Sequence, residues 1–217
     1  MNTYCPMLWH DIYINDVGDI YTCCHRKPAV LGNIYKEKLK DVLNNDIYKK
    51  LRQDSIEGKL HCYSNCKLLN KEAINRPEKL STEISYSDLN RIKILFSERC
   101  NINCIMCRQD SKKTRSLDYK VLIDNVDFSV FSSIEIQGGE PFVIPDAKEM
   151  FKYLSSKGYK SSFLTNGLLV NDYWAEMIAK NSTFIYFSLN AVCKKTHELV
   201  NKGSKWEKVI TNIGKVI

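Results

Sequence analysis

The sequence has no uncharged apolar run near the roughly 18 residues that a membrane span needs, the stretch from Asn181 to Cys193 being among its longest. That lack predicts a soluble chain with no membrane partner. The start, Met1-Asn2-Thr3-Tyr4-Cys5, carries neither a basic n-region nor an apolar h-region, so no secretory signal is visible and a cytoplasmic address is expected. Only five prolines and nine glycines occur in 217 residues, which excludes a collagen-like or low-complexity chain. Nor is the chain poor in apolar residues as disordered segments are: 44% hydrophobic and 26% charged is a globular composition, enough for one domain or a domain and a small companion. There is no Lys/Arg block. The excess of 32 basic over 25 acidic residues is mild, and it lies mostly in residues 91–217, with 19 against 13. It reads as a solvated surface, and nucleic acid is not an expected partner.

What the sequence does have is cysteine. Nine in a reducing compartment point to metal or redox chemistry before disulfides. They fall into two groups separated by the Cys-free stretch between Cys66 and Cys100, and the texture of the chain changes across that gap. Two modules are expected, residues 1–67 and 91–217, joined by a polar linker at 68–90 that has helical pieces broken by Pro77.

In the first module, Asp11 to Asn15 and Asp19 to Cys23 alternate apolar and polar residues around Asp16-Val17-Gly18-Asp19, which predicts a β-hairpin. Leu39, Val42 and Leu43 share one helical face. Ile47 and Leu51 share another after Asn44-Asn45-Asp46, where Asp46 is expected to be the N-cap.

From Arg91 onward the pattern is strand, loop, helix, repeated. Strands are expected at Ile92–Phe96, Ser133–Gln137, Ser161–Leu164 and Thr183–Leu189. Between them lie amphipathic helices. One opens at Pro145-Asp146 with Ala147, Met150 and Leu154 on a face and closes at Gly158, and another groups Trp174, Met177 and Ile178. The last places Trp206, Val209, Ile210 and Ile213 together. This alternation predicts an α/β fold with right-handed βαβ crossovers and a parallel sheet or barrel, whose chemistry sits at the C-terminal ends of the strands.

Directly after the first of these strands comes Cys100-Asn101-Ile102-Asn103-Cys104-Ile105-Met106-Cys107, three thiols at x3 and x2 spacing. A structural zinc site is normally closed by four ligands. Three thiolates on an iron–sulfur cluster leave one iron open, and soft sulfur ligands suit that iron. Gln137-Gly138-Gly139-Glu140-Pro141 follows the second strand, Thr165-Asn166-Gly167 the third, and Ser188-Leu189-Asn190-Ala191 ends the fourth. Taken singly these have plainer readings. Gly138-Gly139 is also a tight turn, Glu140 a surface carboxylate, Asn166-Gly167 a turn signal and Met106 a core residue. His10, His25, His61 and His197 are isolated and read as structural or surface residues, and Cys193 as an inert thiol.

Together, in chain order, the four motifs resemble those of the radical S-adenosylmethionine (SAM) superfamily, with Met106 at the apolar position of its C-x3-C-x-Φ-C signature. The resemblance implies a 4Fe-4S cluster on Cys100, Cys104 and Cys107 that cleaves SAM reductively to a 5'-deoxyadenosyl radical, which takes hydrogen from a substrate. It places Met106, Gly138, Gly139, Glu140, Ser188 and Asn190 at SAM, Glu140 on the methionine ammonium and the last two on the ribose. The residue that would act directly on substrate is unknown. Cys5-Pro6-Met7-Leu8-Trp9, the hairpin ending in Cys23-Cys24, Leu31-Gly32-Asn33-Ile34 and Cys62-Tyr63-Ser64-Asn65-Cys66 resemble the SPASM/twitch auxiliary-cluster domain. This implies a second cluster on Cys5, Cys23 or Cys24, Cys62 and Cys66, with structural zinc as the alternative.

The fold so implied is a partial TIM-like radical SAM barrel of four βα units, its later strands missing, preceded by a small Cys-rich α+β domain. The chain is accordingly expected to be a piece of a longer protein or a short form completed by a partner. The implied substrate is a peptide or protein, and the implied electron donor a flavodoxin or ferredoxin. The rival reading is a non-catalytic zinc- or iron–sulfur-binding interaction module, with zinc on Cys62, Cys66, Cys104 and Cys107. It leaves Cys100 and the Gly-Gly-Glu strand end without a purpose.

Overall fold

The computed structural model describes residues 4–62, 65–66 and 79–217. It divides into two compact units, Met1–Ile14 with Gly18–Lys93 and Lys120–Ser132, and Asn15–Val17 with Ile94–Tyr119 and Ser133–Ile217. Among the described residues no helix is long and apolar enough to cross a membrane.

The first unit opens with α1 (Met7–His10), β1 (Asp11–Ile14) and β2 (Asp19–Tyr21). The two strands pair antiparallel, Tyr13 opposite Tyr21 and Ile14 opposite Ile20, as the alternation predicts. Gly18 turns with φ +85°, and a Cβ there would lie 2.5 Å from the Tyr35 ring, so both conformation and space demand glycine. β3 (Gly32–Asn33) adds to β2, and α2 (Leu39–Val42) buries Leu39 and Val42.

α3 (Asp46–Ile56) departs from expectation at both its cap and its face. The cap is Asn45, whose side chain accepts from Tyr48 N at 2.9 Å, leaving Asp46 in the first turn. Ile47 is half-exposed, while Tyr48, Arg52 and Ser55 point inward. The reason is Arg52. Fully buried, it donates to the carbonyls of Leu8 at 2.9 Å, Leu43 at 2.8 Å and Thr82 at 2.9 Å, with its guanidinium 3.8 Å from the Tyr48 ring centre. One cation thus ties α1, the end of α2 and residues 79–90 to α3, a task no apolar side chain can do. Arg52→Met should cost this unit roughly 3 kcal/mol or more, because three carbonyls lose a charged donor without gaining water. A urea titration followed by fluorescence, with Trp174 and Trp206 replaced by Phe so that Trp9 alone reports, reads it, and a loss under about 1 kcal/mol would refute the assignment.

Residues 79–90 are bound into this unit: Trp9 Nε1 donates to Ser81 O at 2.8 Å, and Asn44 exchanges two hydrogen bonds with Ile84. The expected linker's break at Pro77 lies outside the described residues. β4 (Arg91–Leu95) begins here, with Arg91 Nε 3.0 Å from Asp11 Oδ2. α4 (Tyr119–Asn125) is held by Asn125, which donates to Ile34 O.

The second unit continues with β5 (Asn103–Cys104), β6 (Ser133–Gln137), α5 (Pro145–Ser156), β7 (Ser161–Thr165), α6 (Asp172–Asn181), β8 (Ser182–Phe187), α7 (Lys194–Val200), β9 (Asn201–Lys202) and α8 (Trp206–Gly214). β4, β6, β7 and β8 stand side by side in that order, and β7 is parallel to both neighbours. The alternation of strands and helices therefore yields the mostly parallel α/β sheet it predicts. Ile134, Ile136 and Phe163 are buried on the sheet, and α5 and α6 contribute Ala147, Met150, Phe151, Leu154, Ala175 and Ile178. Phe142, Phe151, Phe163 and Trp174 form one aromatic cluster, the shortest centroid distance being 4.6 Å between Phe151 and Phe163.

Two details differ from the sequence reading. β8 ends at Phe187, leaving Leu189 in the following loop. In α8 the inward side chains are Val209 and Asn212, with Ile210 exposed, because Asn212 Nδ2 caps the carbonyls of Gly167 and Leu168 at 2.8 and 3.3 Å.

Candidate functional site

The strand ends of the second unit gather around one cavity of about 330 Å³, within the range of small-molecule sites. Its wall includes Cys100, Cys104, Met106 and Cys107 from the segment after β4, Gln137, Gly138 and Gly139 at the end of β6, Thr165 and Asn166 at the end of β7, and Ser188 and Asn190 after β8. Residues chosen from four separate stretches of sequence thus converge. Glu140 does not line the wall.

The cysteine loop is fixed from several sides. Ile102 packs with Leu168 and Val209, and Cys100 and Cys104 rest against that apolar cluster. Cys100 N donates to Ser111 O at 3.0 Å, closing the loop on itself. β5 pairs antiparallel with β9, Cys104 opposite Asn201, and Ile105 N continues to Val200 O at 3.0 Å. Met106 is about half exposed and faces the cavity, so it is not a core residue.

Gly139 is governed by this loop. Gly139 N donates to Ser97 O and Glu140 N to Arg99 O, both at 2.9 Å. A Cβ on Gly139 would lie 2.2 Å from Glu98 O and 2.5 Å from Arg99 O. Backbone meets backbone here, directly before Cys100, and only glycine allows it.

Glu140 is fully buried. Its Oε1 accepts from Thr165 Oγ1 at 2.8 Å and Phe142 N at 3.2 Å, and its Oε2 from Asn166 N at 2.8 Å. Burial pushes its carboxyl up to about 7, against the opposing pull of these donors. The acid expected to face a ligand faces the turn after β7. Asn166 is held by its side chain as well: its Oδ1 accepts from Leu168 N at 3.0 Å, and its Nδ2 reaches Asn101 Oδ1 at 2.8 Å and Cys100 Sγ at 3.7 Å.

On the other side, Asn190 adopts φ +55°, a left-handed conformation that Asn tolerates, and donates to Asn201 Oδ1 at 2.9 Å. The same Oδ1 accepts from Cys104 Sγ at 3.2 Å. Asn201 is buried beside His197, whose ring contacts Leu189 O at 2.6 Å and Ser204 Oγ at 2.9 Å. His197 is thus structural, as its isolation suggests, but it supports the wall of the cavity. Asn201 was not legible: nothing in its neighbourhood marks it, and it stands 97 residues from its thiol partner.

None of the nine cysteines forms a disulfide. Burial raises Cys100, with the Glu140 charge adding, and it raises Cys104, with Cys100 and Cys107 adding. In the first unit, burial pushes Cys5 up to about 12, and the thiols of Cys23, Cys62 and Cys66 add to it. Cys23 is likewise raised by burial, with Cys62 among its charged neighbours, whereas Cys24 is exposed. Cys193 is exposed outside the cavity, its thiol lowered by hydrogen bonding with Thr196. Among the described residues no three His, Cys, Asp or Glu side chains are drawn tightly enough together to hold a single metal ion. Three thiols around a cavity do fit a broader group, a thiolate-ligated iron–sulfur cluster, by donor softness and by room.

Comparison with known proteins agrees. Residues 5–67 match the SPASM model, an iron–sulfur cluster-binding domain, and residues 94–217 match that of the radical SAM superfamily. The GTP 3',8-cyclase of Peptoclostridium acidaminophilum is 28% identical over 135 residues, 58% of this chain and 42% of that protein. The antilisterial bacteriocin subtilosin biosynthesis protein AlbA of Bacillus subtilis is 31% identical over 110 residues, 48% of this chain and 25% of that one. The crystal structure of Streptococcus suis SuiB bound to precursor peptide SuiA aligns with 98% of this chain and 53% of its own at 16% identity, with a TM-score of 0.47. The chain spans less than half the length of the curated relatives it matches. The matched models imply a 4Fe-4S cluster with SAM and an auxiliary cluster as cofactors. By a match over more than half its length, the chain belongs to the radical SAM superfamily.

Proposed function

We propose that the protein uses Cys100, Cys104 and Cys107 to hold a SAM-cleaving 4Fe-4S cluster and acts on a peptide. The observation that carries the reading is the convergence of those three thiols with three further strand ends on one cavity. When bound there, the cluster supplies the electron that splits SAM to methionine and a 5'-deoxyadenosyl radical, which abstracts hydrogen from substrate. The chain's own residues bind and orient. Gly138 and Gly139 bring backbone to the cavity wall, Met106 covers it with a polarizable apolar side chain, and Ser188 and Asn190 offer polar groups for the ribose. Glu140 serves from behind the wall by holding the turn that carries Thr165 and Asn166.

In the first unit, Cys5, Cys23, Cys62 and Cys66 are the proposed ligands of the auxiliary cluster, Cys23 being preferred to Cys24 because its thiol is partly buried whereas Cys24 is exposed. The module at 1–67 would then precede a partial barrel of four βα units at 91–217, with 68–90 between them. A flavodoxin or ferredoxin is the proposed electron source. The peptide assignment draws support from AlbA, whose name places it in bacteriocin biosynthesis.

Cys62→Ala with Cys66→Ala should remove one cluster's iron and sulfide and leave the other, with its SAM response, intact. Loss of both clusters, or of neither, contradicts two separate sites. For the substrate, anaerobic incubation with SAM, reductant and candidate precursor peptides should give 5'-deoxyadenosine in step with a mass change in one peptide. 5'-Deoxyadenosine formed in step with GTP consumption and no peptide change would overturn the peptide reading.

A further inference from the structure

We infer that Asn166 is a positioning residue for the Cys100 sulfur: its side-chain amide donates to that sulfur and raises the reduction potential of whatever cluster the thiolate holds. The inference rests on the proposed assignment of Cys100 as a cluster ligand.

Asn166 Nδ2 lies 3.7 Å from Cys100 Sγ and 2.8 Å from Asn101 Oδ1, so its two N–H bonds have separate acceptors. The amide cannot turn over without loss. Oδ1 is committed to Leu168 N at 3.0 Å, and a flip would set an N–H against an N–H there and an oxygen against the Asn101 oxygen. Its backbone is pinned as well, through Asn166 N to Glu140 Oε2 at 2.8 Å, while Thr165 Oγ1, bonded to Glu140 Oε1 at 2.8 Å, accepts from Gly167 N at 3.1 Å. The buried Glu140 therefore acts through Asn166, and the amide meets the sulfur prearranged, with little conformational freedom left to lose.

The other two thiols differ. Each of the three sulfurs lies near an amide oxygen, Cys100 Sγ 3.9 Å from Asn101 Oδ1, Cys104 Sγ 3.2 Å from Asn201 Oδ1 and the exposed Cys107 Sγ 3.9 Å from Gln109 Oε1, but Cys100 has the Asn166 amide N–H as well. Among these side-chain contacts of the described residues, Asn166 alone presents an N–H to a cysteine of the loop. An N–H donor to a ligating sulfur draws off negative charge and favours the reduced cluster, a recognised control on iron–sulfur potential.

The test is the midpoint potential of the cluster, by anaerobic EPR-monitored titration of protein reconstituted with iron and sulfide, for wild type, Asn166→Ala and Asn166→Ser. The Ser variant keeps a hydroxyl acceptor for Leu168 N without adding a charge and deletes the amide N–H, which carries the test if the Ala variant fails to fold. Both variants should retain wild-type iron content with a more negative potential. About a tenfold fall in the equilibrium constant for one-electron reduction is expected, equal to about 59 mV. A folded, cluster-loaded variant with the wild-type potential overturns the inference. A wild type whose iron does not depend on Cys100, Cys104 and Cys107 instead overturns the ligand assignment beneath it.

Discussion

Replacing Cys100, Cys104 and Cys107 together with alanine should abolish SAM cleavage and remove one cluster's iron and sulfide, leaving the auxiliary cluster in place. The three thiols lie in one loop of eight residues and border one cavity, and no His, Asp or Glu completes a metal-binding group with them among the described residues. Without them there is no soft donor to hold the iron. The fold should survive. Cys100 and Cys104 only border the apolar cluster of Ile102, Leu168 and Val209, Cys107 is exposed, and the β5–β9 pairing is made by backbone. Iron and sulfide analysis with circular dichroism separates the two effects. A triple variant that keeps full iron, or that loses its fold, would contradict the assignment.

Gly139→Ala should be the most damaging single substitution at the cavity. Its methyl would sit 2.2 Å from Glu98 O and 2.5 Å from Arg99 O, which are backbone atoms with no rotamer to yield. Relief requires parting the segments joined by Gly139 N to Ser97 O and Glu140 N to Arg99 O. Overpacking costs about 1–3 kcal/mol and each lost hydrogen bond about 1 kcal/mol more, so a loss of roughly 3–5 kcal/mol follows. Gly138 is the internal comparison. A Cβ there would lie 2.5 Å from Ile144 Cδ1, a side-chain end that can turn away, so Gly138→Ala should cost clearly less. Urea midpoints of the two variants decide it: equal losses would mean that the close approach at Gly139 is not what the glycine serves.

The elements whose signals are local were legible in the sequence. The hairpin was carried by alternation and Gly18, α5 by Pro145 and its i, i+3, i+7 spacing, and the strands by short apolar runs before polar loops. The cysteine loop and the cavity-lining strand ends were legible because each motif directly follows its strand. What was missed depends on contacts between distant residues. Arg52 looks like a surface residue of α3 until the carbonyls of Leu8, Leu43 and Thr82 surround it. The two-residue strands β5 and β9 are too short to carry any periodicity, so the ribbon that brings Asn201 to Cys104 leaves no trace in the sequence. Glu140 was recognised, but its direction was not, because burial against the Thr165-Asn166 turn is set by β6 and β7 standing in parallel register.

The cavity bordered by Cys100, Cys104 and Cys107 is proposed to hold a cluster with an iron open to SAM. EPR of the anaerobically reduced Cys62→Ala, Cys66→Ala protein, which should retain only that cluster, tests it most directly when recorded with and without SAM. A 4Fe-4S signal is expected whose g-values change on adding SAM and which disappears when the three cysteines are replaced. A colourless protein with bound zinc and no iron signal, or an iron signal that is indifferent both to SAM and to those three cysteines, would contradict it.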